Sequence, residues 1–289
     1  MGQLSNVMIR ILVPTDFSTA SRTGLRFAIQ WSRQQEVKIT FVHVLHIPHP
    51  TAWSDRQFHA FAAAEKIRCR EKLDKFVSET FRKLDMADVS HSRLILEGAS
   101  PDIAICDYCR QHPEIDFICM GTRGAGKLKK IWGTHTGNLI THSPVPVIAV
   151  PGNYRIRPVT RLLYATDLSS YKEELKKVAA IATPLKATVN VLHLTQPGEV
   201  KLDRELIEEV FSRDFRYDLK FNFKTEDPGR TQVGNLQHEI ATLRPSLVIM
   251  FTHQDRNLFQ RIFFPSRTES LAFDLKTPLL VFGKASRPS

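Results

Sequence analysis

Ile115–Pro151 reads IDFICMGTRGAGKLKKIWGTHTGNLITHSPVPVIAVP, an order of strand, glycine-rich loop, helix and strand. Phe117-Ile118-Cys119-Met120 is a short apolar run between polar residues, the pattern of a strand buried on both faces of a parallel sheet. Gly121, Gly124 and Gly126 follow at once. Glycine there lets the backbone take positive φ and bring N–H groups close to a ligand. Gly133-Thr134-His135-Thr136 opens the helix, with Thr134 or Thr136 placed to cap it. A helix N-terminus beside glycine-rich backbone attracts phosphate through its unpaired N–H groups and its dipole. Val145 to Val150 is a second buried strand. The stretch fits a phosphate-bearing ligand at the carboxyl end of a parallel sheet, and it equally fits a structural turn. It departs from a P-loop, because Leu128 follows Lys127 where Ser or Thr would hold magnesium. A G-x-G-x-x-G dinucleotide fingerprint is not present in register.

Upstream, strand and helix alternate. Ile9 to Val13 is an apolar strand that ends in Pro14-Thr15-Asp16-Phe17-Ser18. Ser18 is placed to cap a helix from Thr19 to about Gln34. Lys38 to Leu45, rich in β-branched residues, is the second strand. A long helix is predicted from Ser54 to about Leu84, with Leu73, Phe76, Val77, Phe81 and Leu84 as its core stripe. Ser92 to Leu96 is the third strand, and a helix from Pro101 to about His112 follows. This alternation predicts a doubly wound α/β domain, in which ligands bind beyond the carboxyl ends of the strands where strand order switches.

After a polar, proline- and arginine-bearing linker, Gly152 to Thr160, the pattern begins again. Leu162-Leu163-Tyr164-Ala165-Thr166-Asp167-Leu168-Ser169 repeats Ile11 to Ser18, and Leu247-Val248-Ile249-Met250 echoes Phe117 to Met120. Thr277 to Phe282 echoes Val145 to Val150. The offset falls from 151 residues between Asp16 and Asp167 to 130 between Met120 and Met250, so the second unit is shorter where the long helix would be. A repeat of this size is a duplicated domain. The expected fold is therefore α/β, with two tandem doubly wound domains at 1–152 and 160–285. Each would hold a five-stranded, mainly parallel sheet with helices on both faces. The copies differ in chemistry. Phe251-Thr252-His253-Gln254 replaces Gly121-Thr122-Arg123-Gly124, so side chains stand where backbone would have to approach phosphate, and the second loop reads as degenerate.

The chain has 289 residues, a net charge of +10 and 42% hydrophobic residues, which suits a globular protein of two ordinary domains. No apolar run is long enough to span a membrane. The opening MGQLSNVMIRILVP lacks the charged start, apolar core and cleavage site of a secretory signal, so a cytoplasmic location is expected. Cys69, Cys106, Cys109 and Cys119 all lie in the first half and form no disulfide framework. Cys106-x-x-Cys109 sits inside a predicted helix, where packing is its expected role, and no ligand spacing points to a metal. The basic residues are dispersed, without the aromatic interleaving or finger spacing of a nucleic-acid module. No acid/base pair or nucleophile dyad stands out, and no catalytic residue is assigned.

With these motifs in hand, the chain resembles the universal stress protein family in its tandem two-domain form. The resemblance rests on I-L-V-P-T-D-F-S at Ile11–Ser18 and V-H-V at Val42–Val44. It rests also on the glycine motif at Gly121, Gly124, Gly133 and Thr134, and on V-P-V-I-A-V at Val145–Val150. It implies adenine-nucleotide binding in the first domain, as ATP or AMP with or without magnesium, and a role in stress response. It places Pro14, Thr15, Asp16 and the backbone of Val44 at the adenine and ribose end. Gly121, Gly124, Gly126, Gly133, Thr134 and Thr136 would meet ribose and phosphates, with Arg123 and Lys127 near the anion. It further implies intrachain pairing of the domains through their last strands, allows a homodimer, and leaves at most weak ATP hydrolysis, with Asp16 the one motif acid available to magnesium. The alternative it carries is a ligand-free module acting through protein–protein contacts. Between Gly124 and Gly133 lie eight residues, where the family motif has nine. One residue spans ~3.3–3.6 Å, enough to move an N–H out of hydrogen-bonding reach of a phosphate.

Overall fold

The computed structural model describes residues 8–86, 89–122, 134–196, 204–215, 217–252 and 276–283, with backbone only at 134–136, 204, 206, 212 and 214. In the first half, β1 (Ile9–Pro14), α1 (Ser21–Trp31), β2 (Val37–Leu45), α2 (Asp55–Leu84), β3 (His91–Glu97), α3 (Pro101–Gln111), β4 (Phe117–Gly121), α4 (Thr134–His142) and β5 (Val147–Val150) follow in order. The second half contains β6 (Arg161–Ala165), α5 (Tyr171–Leu185), β7 (Thr188–Thr195), α6 (Arg204–Asp214), β8 (Leu219–Thr225), α7 (Gln232–Leu243), β9 (Leu247–Phe251) and β10 (Leu279–Phe282). Where the first half has the 30-residue α2, the second has the 11-residue α6.

The strands form one ten-stranded sheet in the order β3-β2-β1-β4-β5-β10-β9-β6-β7-β8. All pairs are parallel except β5 with β10, whose antiparallel register sets Leu279 opposite Ala149, Leu280 opposite Ile148 and Val281 opposite Val147. Each half thus has the same doubly wound order, switching direction between β1 and β4 and between β6 and β9. The near-continuous apolar runs follow from this, because both faces of the sheet are covered. Ile11, Val13, Ile148 and Val150 share one core with Leu162, Tyr164, Leu280 and Phe282. On the opposite face Leu12, Ile118, Val147 and Ala149 pack with Leu163, Val248, Leu279 and Val281. Both cores run through the β5–β10 seam.

Helix ends follow local chemistry. Ser54 caps α2 in a capping box with Gln57, which satisfies two first-turn donors. Leu73, Phe76 and Val77 are the buried part of the expected stripe, and Phe81 and Leu84 pack at its margin. α1 starts at Ser21, later than Thr19, yet Ser18 still acts in its start: its hydroxyl accepts the Ser21 N–H at 3.1 Å. β5 begins at Val147, because the Ser143 hydroxyl holds both the N–H and C=O of Val145 in a turn.

The linker is a strap packed into the core. Tyr154 and Val159 are 3% and 1% exposed, and the Tyr154 ring lies edge-on to Phe27 at 5.6 Å. The Gln34 amide grips Val159 twice, donating to its carbonyl at 3.0 Å and accepting its N–H at 2.6 Å. Cys106 and Cys109 are buried on α3, where burial pushes the Cys106 thiol pKa up, as suits packing residues.

Candidate functional site

β1 and β4 are neighbours at the point where strand order switches, so their carboxyl ends open on one crevice. Thr15-Asp16-Phe17-Ser18 forms its floor on the β1 side. The Thr15 N–H continues the ladder to the Val42 carbonyl at 2.9 Å. The Thr15 hydroxyl accepts the Phe17 N–H at 3.0 Å, and the Asp16 carboxylate accepts the Ser18 N–H at 3.0 Å. These two side-chain turns hold Phe17 at φ 64, a left-handed conformation that costs a bulky residue energy unless neighbours enforce it. Asp16 is exposed at the crevice. Burial pushes its carboxyl up, but hydrogen bonding to Ser18 and Ser21 outweighs this and holds the group below the ordinary carboxylate range.

Val44 lies one turn of the ladder beyond β1. The Val42 carbonyl bonds toward β1, and the Leu45 carbonyl accepts the Gly98 N–H on the β3 side. Bonding direction alternates along a parallel strand, so Val44 turns its N–H and C=O toward the β1 side. The last registered pair there is Pro14 with Val42. The Val44 backbone and the Asp16 carboxylate therefore face the same opening, a donor, an acceptor and an anion suited to a purine edge and ribose hydroxyls. His43, between them, donates from Nδ1 to the Thr15 carbonyl at 2.8 Å, and its ring lies 4.3 Å from Phe17. Burial pulls the His43 pKa below its usual value, and the charge of Lys72 adds to this against the Thr15 carbonyl and Asp16.

Gly121 has a job that the glycine pattern does not reveal. A Cβ there would lie 1.9 Å from the Ala20 carbonyl oxygen, and one at Gly24 would lie 2.7 Å from the Gly121 nitrogen. The two glycines let α1 press its first turn against the end of β4. Thr23 locks this contact, its hydroxyl lying 2.8 Å from the Ala20 carbonyl and 3.2 Å from that of Val150. Gly121 thus serves packing first. Thr134 opens α4 as expected. Arg123, Gly124, Gly126, Lys127 and Gly133, with the side chains of Thr134 and Thr136, lie outside the described residues, as does the expected threonine cap. The structure brings together Pro14, Thr15, Asp16, Val44 and Gly121.

The second half repeats the turn and replaces the opening glycine with an aromatic. The Thr166 hydroxyl accepts the Leu168 N–H at 2.9 Å, Asp167 accepts the Ser169 N–H at 2.8 Å, and Leu168 has φ 69. His193 Nδ1 donates to the Thr166 carbonyl at 2.9 Å. Phe251 stands where Gly121 stands in the first half. It stacks on Phe282 at 4.5 Å and meets Tyr164 edge-on at 5.9 Å. The Tyr164 hydroxyl donates to the buried Glu174 carboxylate and lies 2.9 Å from the Thr166 hydroxyl. The aromatic triad was legible in the sequence only as three apolar positions. Among the described residues, no group of three His, Cys, Asp or Glu side chains could hold a metal ion, and no helix is long and apolar enough to cross a membrane.

The family model for the universal stress protein family matches residues 8–151. Through that half, the chain belongs to the universal stress protein family. No curated protein matches the sequence. The fold is similar to that of a universal stress protein from Archaeoglobus fulgidus, at 16% identity and TM-score 0.69, covering 95% of this chain and 98% of the other. It is also similar to a putative universal stress protein from Pseudomonas aeruginosa, at 15% identity and TM-score 0.52, covering 96% and 94%. These likenesses extend the universal stress protein fold over both halves. An Arabidopsis thaliana family member with AMP bound aligns at 19% identity and TM-score 0.34, covering 50% of this chain and 91% of its own. The AMP is that protein's ligand, and a likeness so partial carries no argument for this chain.

Proposed function

We propose that this universal stress protein binds an adenine nucleotide, ATP or AMP, in its first half and serves in a cytoplasmic stress response. The observation that carries the reading is the convergence of Asp16, the Val44 backbone and the end of β4 on the crevice where strand order switches. Asp16 would take the ribose hydroxyls, and the Val44 N–H and C=O the adenine edge. The residues after Gly121, leading to the start of α4, would take the phosphates, since a helix start favours anions. Pro14 and Thr15 set the floor. Arg123, Gly124, Gly126, Lys127, Gly133, Thr134 and Thr136 belong to the phosphate end. Catalysis is not part of the proposal, beyond weak hydrolysis with magnesium on Asp16.

In the same reading the halves are tandem domains, 1–152 and 160–285, paired through the β5–β10 ladder, and the second is a degenerate copy. The sequence favours that role, since Phe251 stands where the first half has the opening glycine of its loop, and its ring is spent on the core stack with Phe282. A ligand-free module acting through protein contacts is the second reading. It is favoured by the recurrence of the Thr-Asp-x-Ser turn in the second half, because the turn forms there without a glycine loop to follow it in the sequence. Calorimetric titration with ATP and AMP, after denaturing a sample to detect carried nucleotide, separates the two. The nucleotide reading expects one site per chain, lost in Gly124→Arg. Absence of both binding and carried nucleotide would transfer the role to the ligand-free module.

A further inference from the structure

A groove of about 480 Å³ opens at the other end of the first half's sheet, at the amino ends of β1 to β3 beside the last turn of α3. Arg10 and Lys38 stand side by side on its wall, in register across β1 and β2. Thr40 and Ser92 follow, their hydroxyls 2.9 Å apart. Tyr108 and His112 close the far side, rings 4.1 Å apart. Two acids share this end and both feel the Arg10 charge: Glu114 lies 3.2 Å from His112 Nδ1, and Asp116 accepts the Arg10 backbone N–H at 2.7 Å. Among the described residues, neither the Arg10 guanidinium nor the Lys38 ammonium is held by an ion pair or hydrogen bond.

The second half supplies an internal control. Arg161 occupies the place of Arg10, and its N–H is likewise accepted by a side chain, the Ser246 hydroxyl at 2.8 Å. There, however, α7 ends on Arg244 in the left-handed conformation, and the Arg161 guanidinium donates to the Arg244 carbonyl at 2.7 Å. Thr188 replaces Lys38 in the register. That copy therefore spends its arginine on capping a helix, and its neighbouring Arg157 is likewise spent on the Pro245 carbonyl at 2.5 Å. In the other, α3 ends on His112 at φ -119, and two cations face a groove.

We propose that this groove binds a small phosphate monoester with a hydroxylated body, of the sugar-phosphate class. The phosphate sits on Arg10 and Lys38, and the body's hydroxyls bond to Thr40, Ser92 and the Tyr108 phenol. Guanidinium and ammonium donors make charge-assisted bonds to phosphate oxygens. Glu114, Asp116 and the carbonyl end of α3 limit the positive field, so the site takes one phosphate group and gains nothing from a triphosphate. It lies a strand's length, about 20 Å, from the Asp16 crevice, and it does not depend on nucleotide binding there.

The test is a titration of the full chain with ribose 5-phosphate up to about 10 mM, followed by amide shifts in nitrogen-15 spectra. Saturating shifts are expected at Arg10, Lys38 and Ser92, and they persist in Gly124→Arg and Arg161→Gln. Lys38→Gln and Arg10→Gln each weaken binding on the order of tenfold, with thermal unfolding measured to show that both fold. ATP should bind this groove no more tightly than ribose 5-phosphate. Absence of saturable shifts, shifts confined to Thr15, Val44 and Gly121, or affinity indifferent to Lys38→Gln and Arg10→Gln would each overturn the proposal.

Discussion

Gly121→Ala and Gly24→Ala should both destabilise the protein, Gly121→Ala more. The methyl at 121 would begin 1.9 Å from the Ala20 carbonyl oxygen, against 3.4 Å for ordinary contact. The first turn of α1 must therefore retreat by about 1.5 Å, in an interior packed too densely to yield freely. Overpacking of this kind costs about 1–3 kcal/mol. The atom struck is backbone held by Thr23, so the upper end, about 3 kcal/mol, applies. At Gly24 the contact of 2.7 Å is less severe, and alanine recovers about 1 kcal/mol of helix propensity, which leaves a net loss of about 0–2 kcal/mol. Urea unfolding can follow the fluorescence of Trp31, which is fully buried at the far end of α1, stacked on Phe117. A Gly24→Ala protein more stable than the parent would show propensity acting alone. It would refute the close approach of α1 to β4. The same retreat moves one wall of the candidate crevice, so Gly121→Ala should also weaken any nucleotide binding.

Two further predictions concern the turn and its counterpart. The folded His43 pKa lies below the usual 6.5, so the unfolded chain binds the proton first as pH falls. Stability linked to His43 is complete above 6.5, and it is lost as pH drops from there through the lowered folded value. His43→Gln should remove that part of the slope in unfolding free energy against pH, and an unchanged slope would exclude His43 as its source. Tyr164→Phe takes one donor from the buried Glu174 carboxylate and one partner from Thr166. The expected cost is about 1–3 kcal/mol in urea unfolding, with nucleotide affinity unchanged, whereas a neutral substitution would mean that the contact adds no stability.

Sequence periodicity carried the architecture because its signals are local. The central strands are apolar runs of a few residues, and Ser54 with Gln57 starts α2 within four residues. The repeat could be aligned residue by residue, since Thr-Asp-x-Ser closes its own turn in both copies by bonds that reach only two residues ahead. The candidate site was legible in part for the same reason. Pro14, Thr15 and Asp16 form one contiguous turn, and Val44 is fixed by β2's ladder.

Long-range contacts supplied the rest. Gly121 reads in sequence as a ligand glycine, and only the fold adds that the Ala20 carbonyl, about a hundred residues earlier in the chain, packs against it. The strap from Gly152 to Thr160 looks polar in composition, yet Gln34 and Phe27 draw Tyr154 and Val159 into the core. Arg10 and Arg161 are the same residue at the same place in the repeat, and composition cannot tell them apart. Their fates separate because α7 ends in a left-handed residue that offers a carbonyl and α3 does not. Such differences arise where distant segments meet, and there the chain's local pattern exerts no force.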